Sequence, residues 1–301
     1  MDSPAVILKR IATSNGGGSF LSPLICIFQG NCVPLSARMK FEVIHIDETD
    51  STNRWLRDNP PLFGNNPALL NNNPALLKNK GRLLRKGCPV VVAEYQTAGR
   101  GCGTNQWESE RGKNLTFSML IHPSDVPAAK QFILSMANAL ALKRTLDDYV
   151  DGIKIKWPND IYWHDRKICG TLIETTLQGS RIQDCIIGTG ININQRAFLS
   201  DAPNPVSLCQ ILGHEVDREE VLEKVLNYSD DYMLAVDQGL WEDIRASYRA
   251  HLYRLEESHD FIISGQRVCC KLVGVTDDGH LRLLHDHTPT DYAFKEVQFC
   301  L

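Results

Sequence analysis

The chain lacks several features that would each assign it to a class. No apolar run reaches the ~18 residues of a membrane-crossing helix, so no membrane partner is expected. There is no basic excess: 32 Lys and Arg stand against 36 Asp and Glu, a formal net charge of −4. Surfaces that gather phosphate backbones are cationic, so no nucleic-acid partner is expected. None of the ten cysteines forms a C-x-x-C pair or falls at zinc spacing with histidine, so no metal site is expected. Their scatter through apolar runs predicts reduced, buried thiols and a cytoplasmic protein. The glycine-rich stretches match neither the Walker pattern nor the dinucleotide pattern. No Ser-His-Asp order or Cys-His pair stands in motif context, so no covalent intermediate on the chain itself is expected.

What is present is an ordinary globular composition, 43% hydrophobic and 23% charged in 301 residues, enough for one or two domains. Lys9 and Arg10 precede Phe20–Phe28, a faint likeness to an export signal. Pro23 interrupts it, and no clear small-residue cleavage site follows. Residues 1–40 are therefore read as an unstructured leader, with Met39 directly before a strand at 41–46. Ser51 or Thr52 is placed to cap a helix starting at Asn53. A short tandem repeat, Asn65–Leu70 and Asn72–Leu77, reads as a duplicated loop insertion.

Strands are expected at 90–95 and 115–122, and an amphipathic helix over 125–149 with Pro127 in its first turn. A strand at 152–157 and a hairpin of 168–177 with 181–194 follow. Cys185 to Ile187 are apolar on successive residues and are expected to be covered on both faces. Asp217 and Glu220 predict a capping box for a helix to about Asp237, and Trp241–Leu255 predicts another. Beyond residue 258 the pattern turns to strands, with Asp277-Asp278-Gly279 as a hairpin turn. So short a segment rarely holds its own core. The fold class expected is α+β: a mixed, mainly antiparallel sheet with helices over 41–257, then a small β-barrel domain over 258–301.

The chemistry concentrates in three segments. The strand-like Val90–Ala93 leads into a glycine-rich loop, Glu94–Trp107, holding one arginine, Arg100. Gly99, Gly101 and Gly103 allow close backbone approach to a ligand. The Arg100 fork suits carboxylate and phosphate. In Lys156-Trp157-Pro158-Asn159-Asp160, proline fixes φ and drives Trp157 towards an extended conformation. Asn159 and Asp160 can then point into a site or form a plain Asx-turn. Trp107 is either a platform for a flat ring or a core residue. Lys167-Ile168-Cys169-Gly170-Thr171-Leu172-Ile173-Glu174 is the third segment.

With Asp50-Ser51-Thr52-Asn53 upstream, and Gly188, Gly190 and Asn192 downstream, these motifs resemble the biotin protein ligase family in type and order. The likeness is clearest over 41–194. It implies the catalytic-domain fold, an SH3-like barrel at the C-terminus, and no DNA-binding repressor arm. The implied reaction attaches biotin to a lysine of a carboxylase biotin-carrier domain, through a noncovalently held biotinyl-5′-AMP. ATP, Mg²⁺ and biotin are the implied small molecules. A lipoate-protein ligase and a non-enzymatic biotin sensor are the alternatives.

By the same resemblance, Arg100 and Lys167 are the cations for the reacting anions, and Asp160 orients the acceptor amine. Biotin is expected to meet Ser51, Thr52, Asn53, Gln96, Gly99, Arg100, Gly101, Lys167, Gly170 and Gly188. Hydroxyl and amide side chains at Ser51, Thr52 and Gln96 suit a ureido ring, which both donates and accepts. ATP is expected at Trp107, Lys156, Asn159 and Asn192. Glu174 is read as structural. One departure stands out: many relatives carry a second loop arginine where this chain has Cys102. Arg111 and Lys113, the nearest cations in sequence, are the candidates to compensate.

Overall fold

The structure, a computed structural model, describes residues 39–59, 87–103, 105–123, 125–200 and 204–301. The expectations for residues 1–38 and for the tandem repeat fall outside them. Residues Met39–Leu301 form one compact unit.

Strand β1 (Phe41–Thr49) leads into helix α1 (Thr52–Asp58); β2 (Cys88–Gln96) and β3 (Leu115–Ile121) follow. Helix α2 (Phe132–Asp147) precedes β4 (Ile153–Lys156), β5 (Asp160–Trp163), β6 (Arg166–Gln178) and β7 (Arg181–Ile191). These strands form a seven-stranded sheet in the order β1-β2-β3-β7-β6-β5-β4. Only β1 and β2 pair in parallel; every other pair is antiparallel. The mixed, mainly antiparallel sheet is thus as expected. Cys185, Ile186 and Ile187 are all buried, as a centrally placed strand covered on both faces requires. On one face α1 packs Leu56 among Ile46, Val91, Ala93, Leu120 and Ile186.

Helices α3 (Leu208–Leu212), α4 (Arg218–Asp237) and α5 (Trp241–Ala250) complete the larger layer, with α4 and α5 against α2. Helix ends and caps depart from the sequence reading at several points, and α5 stops at Ala250 rather than Leu255. A 3-10 turn at Ala128–Lys130 precedes α2, so Pro127 lies before that turn rather than inside the helix. Asp217 does cap α4, accepting from the Glu219 N–H, but Glu220 forms no box. It faces Tyr149 and Lys224 instead. The complete capping box belongs to Ser207 and Gln210 on α3.

Strands β8 (Ser258–Ile263), β9 (Gln266–Val275), β10 (Leu281–His285), β11 (Thr288–Tyr292) and β12 (Val297–Phe299) form a five-stranded antiparallel sheet. Its order is β11-β10-β9-β8-β12. The expected turn at Asp277–Gly279 docks this sheet as well as reversing it. Asp277 pairs with Lys130 at 2.7 Å and Arg245 at 3.0 Å, and the Gly279 carbonyl accepts from Trp157 Nε1 at 2.8 Å. A Cβ at Gly279 would press into the Phe132 ring, 2.6 Å from its Cδ2.

Candidate functional site

Side chains alternate across a sheet, and beyond the Leu120–Ile186 row that packs α1 the central strands present glycines on this face. One cross-strand row runs Ser118, Gly188, Leu172; the next runs Gly190, Gly170, Asp160. The glycines leave a bare floor between a hydroxyl at one end and a carboxylate at the other. A Cβ at Gly188 would overlap the Asn53 amide, and one at Gly190 would fall inside the Trp107 indole. These two glycines are therefore required by what lies above them.

Above the floor, the chain after β2 folds back as a small hairpin. Gly101 N–H donates to Asn105 at 2.8 Å and Trp107 N–H donates to Gly99 at 2.9 Å. The return limb lays Trp107 over Gly170 and Gly190, with Lys167 Nζ 5.8 Å from the ring centre. Gly99 faces this return limb: a Cβ there would lie 2.5 Å from the Trp107 carbonyl oxygen.

The start of α1 forms another wall. Ser51 holds the N-cap position, yet its hydroxyl makes no capping bond. Thr52 donates to Gln96 Oε1 from both its N–H, at 2.8 Å, and its hydroxyl, at 3.1 Å. Asn53 donates to Glu174 at 2.8 Å, and Ser118 Oγ lies 2.6 Å from both Thr52 Oγ1 and Asn53 Oδ1.

Three ion pairs organise the charge. Glu174 pairs with Arg57 at 2.6 Å and Arg100 at 3.2 Å. Partial burial alone would raise its carboxyl. The Asn53 amide and both guanidiniums outweigh that and hold it below the ordinary carboxylate range. Lys167 pairs with Asp160 at 2.7 Å. Lys156 is different: its ammonium lies over the rings of Phe299, at 4.6 Å, and Tyr162, at 5.3 Å. Burial pushes it below the ordinary lysine range, with Asp160 acting the other way. The Trp157–Pro158 bond before Asn159 is cis, and Asn159 donates to the Thr171 carbonyl.

Together these groups enclose a cavity of about 540 Å³. Of the expected residues, Ser51, Thr52, Asn53, Gln96, Arg100, Gly101, Trp107, Lys156, Asn159, Asp160, Lys167, Gly170 and Gly188 all line it. Gly99 and Asn192 do not. The Asn192 amide donates to the Val206 carbonyl at 3.1 Å, which ties two chain segments together behind the floor. That placement gives no support to a nucleotide contact.

Arg111 and Lys113, the candidates to compensate for Cys102, do not line the cavity: Arg111 pairs with Asp47 and Glu48, and Lys113 with Glu215. Sequence reasoning missed the wall from the small sheet, which includes Ile262, Phe294, Val297 and Phe299. It also missed Ser118, whose signal was a hydroxyl in the otherwise apolar run Phe117 to Ile121. Glu174, read as structural, proves to be the partner that holds Arg100.

Arg100 Nε and Trp107 Nε1 are buried donors without a partner among the described residues. Buried donors are normally satisfied, so these two are left without the partner such atoms usually have. A bare glycine floor, flat aromatic cover and several cations define a ligand-binding site for a planar or extended anionic molecule. Sequence comparisons assign the class. The model of the biotin/lipoate A/B protein ligase family matches residues 79–192. The biotin–[acetyl-CoA-carboxylase] ligase of Paracoccus denitrificans is 31% identical over 179 residues, 57% of this chain and 73% of that protein. The chain belongs to the biotin/lipoate A/B protein ligase family.

The bifunctional ligase/repressor BirA of Bacillus subtilis is 36% identical over 144 residues, 46% of this chain. The match takes in only 43% of that relative's length. Among solved structures, the biotin protein ligase from Aquifex aeolicus in complex with biotin and ATP has the same fold, at TM-score 0.65 and 24% identity. It aligns with 86% of this chain and 99% of its own.

Proposed function

We propose that the chain is a biotin–[acetyl-CoA-carboxylase] ligase, acting through biotinyl-5′-AMP. The carrying observation is the convergence of Arg100, Lys167, Lys156, Asp160 and Trp107 on one glycine-floored cavity. The name of the Paracoccus relative and the biotin and ATP in the Aquifex complex support it.

In the first step a biotin carboxylate oxygen attacks the α-phosphorus of ATP, and pyrophosphate leaves. Two anions must meet, so the site must supply cations and fixed donors where charge develops. Arg100 and Lys167 are those groups. In the second step a neutral lysine amine of the acceptor attacks the acyl carbon. AMP leaves and the amine loses a proton as the amide forms. Asp160 is the carboxylate side chain of the wall, and a carboxylate is the natural partner for an amine that arrives charged. Among the described residues Asp160 is the carboxylate side chain that would help hold a Mg²⁺ ion here, and the ion would offset phosphate charge.

The acceptor we propose is the biotin-carrier domain of a carboxylase. We also propose a reducing, cytoplasmic setting, supported by the eight free thiols among the described residues. The test is to incubate the protein with MgATP, a carrier domain and either biotin or lipoate. Pyrophosphate release and a single biotinyl mass increment on the carrier are expected. Transfer of lipoate in preference to biotin, or ligand binding without pyrophosphate, would refute the proposal.

A further inference from the structure

Lys295 stands where the sequence gives no reason for it. It is the third residue of the 293–296 turn, closed by the Glu296 N–H donating to the Ala293 carbonyl at 3.1 Å. Its φ is 78°, a left-handed value for which glycine is the low-strain residue at that turn position. Strain of this kind is a pointer from observed geometry to function.

Its side chain crosses from the small sheet to the glycine loop. A Cβ built on Gly103 would lie 3.1 Å from Lys295 Nζ and 3.2 Å from its Cε, so the ammonium rests against the loop backbone beside Cys102. After burial, which pushes the Cys102 thiol up, Lys295 is the strongest influence on that thiol and acts to lower it. Lys295 and Gly103 stand just outside the cavity lining, and their chain neighbours Phe294 and Cys102 line it.

The other cations there are already engaged. Arg100 is paired with Glu174 and Lys167 with Asp160, while Lys156 lies between two rings. Lys295 has no carboxylate within salt-bridge distance among the described residues. An exposed, unpaired ammonium held against a glycine loop has its charge available to an anion.

Resting on the ligase reading above, we propose that Lys295 is a binding residue for the phosphate of the acyl-adenylate. It supplies from the small sheet the cation that the loop does not carry at Cys102. The class of ligand is an acyl phosphate ester of a nucleoside, held at the loop's outer edge. Release of the intermediate then requires the Lys295 contact to break, so the small sheet takes part in retaining it.

The test compares wild type, Lys295→Gly, Lys295→Arg and the double variant Lys295→Gly with Cys102→Arg. Glycine removes the ammonium while relieving the positive φ, so melting temperature should not fall. Pyrophosphate formation from biotin and MgATP is measured first, then dissociation of preformed biotinyl-5′-AMP by filter retention. Lys295→Gly should release the adenylate roughly tenfold faster, the worth of one charge-assisted hydrogen bond. Lys295→Arg should stay near wild type, and Cys102→Arg should restore retention in the double variant. Normal pyrophosphate formation by wild type, with Lys295→Gly retention within twofold of it, overturns this proposal alone. A wild-type chain that forms no pyrophosphate overturns the ligase reading and this one with it.

Discussion

Lys167 Nζ lies 2.7 Å from Asp160 Oδ1, on the edge of the bare floor formed by Gly170 and Gly190. The two residues that the motifs assign to separate steps are thus one ion pair. Lys167 can serve the phosphate while Asp160 holds it in place, and an incoming ammonium must compete with Lys167 for that carboxylate.

Asp160→Asn keeps the shape and removes the charge. Transfer from preformed adenylate to a carrier lysine should slow by more than tenfold, while adenylate formation changes only a few-fold. Single-turnover measurements separate the two steps. An equal loss in both would make Asp160 a positioning residue for Lys167 and nothing more.

Arg100→Ala and Lys167→Ala remove cations from the anion site. Each should slow adenylate formation by well over tenfold, since one donor on a developing oxyanion is worth ~2.7–4 kcal/mol. Pyrophosphate release is the readout. Glu174→Gln should give a milder loss, because Arg100 survives but loses the carboxylate that aims it. Near wild-type rates for either alanine variant would rule out that residue's role.

Gly190→Ala puts a methyl group where the Trp107 indole lies. The indole must lift off the floor, and the return limb of the glycine hairpin with it. Ligand affinity measured by calorimetry should fall more than tenfold, while the melting temperature moves little because the strand itself accepts alanine. Unchanged affinity would show that the cover is not needed for binding.

Glu174 predicts a pH effect on stability. Its folded carboxyl is held below its ordinary value of 4.5, which it regains on unfolding. The unfolded chain therefore takes up the proton first as pH falls. The stabilisation is fully present above about pH 4.5 and is lost as pH drops through the lower folded value. Urea titrations from pH 7 to pH 3 should show a shallower acid limb for Glu174→Gln than for wild type. Parallel curves would remove Glu174 from the account.

Much of the site was legible because its chemistry is local in sequence. The glycine hairpin around Arg100, the Lys156–Asp160 stretch and the Ser51–Asn53 helix start each announce themselves within a few residues. What could not be read depends on strand register and on distant segments. Gly170 and Gly190 are 20 positions apart in number, and only the β6–β7 pairing sets them side by side. Glu174 on β6 meets Arg100 in the hairpin after β2 only through the strand order β2-β3-β7-β6. Strand β5 was hidden because Pro158, Asn159 and Asp160 carry turn signals directly into a four-residue strand. The capping box was assigned to Asp217 and Glu220 although Ser207 and Gln210 carry the same pattern. Pattern alone does not say which glutamate has a better partner elsewhere.

The cavity draws its walls from Ser51 near the beginning of the described chain and from Phe299 near its end. During synthesis the glycine hairpin and its cations emerge from the ribosome long before Phe294, Lys295 and Phe299 do. The half-built pocket would lack the wall that covers Lys156 and the edge beside Cys102. The cavity wall is therefore complete only once β12 has docked against β8.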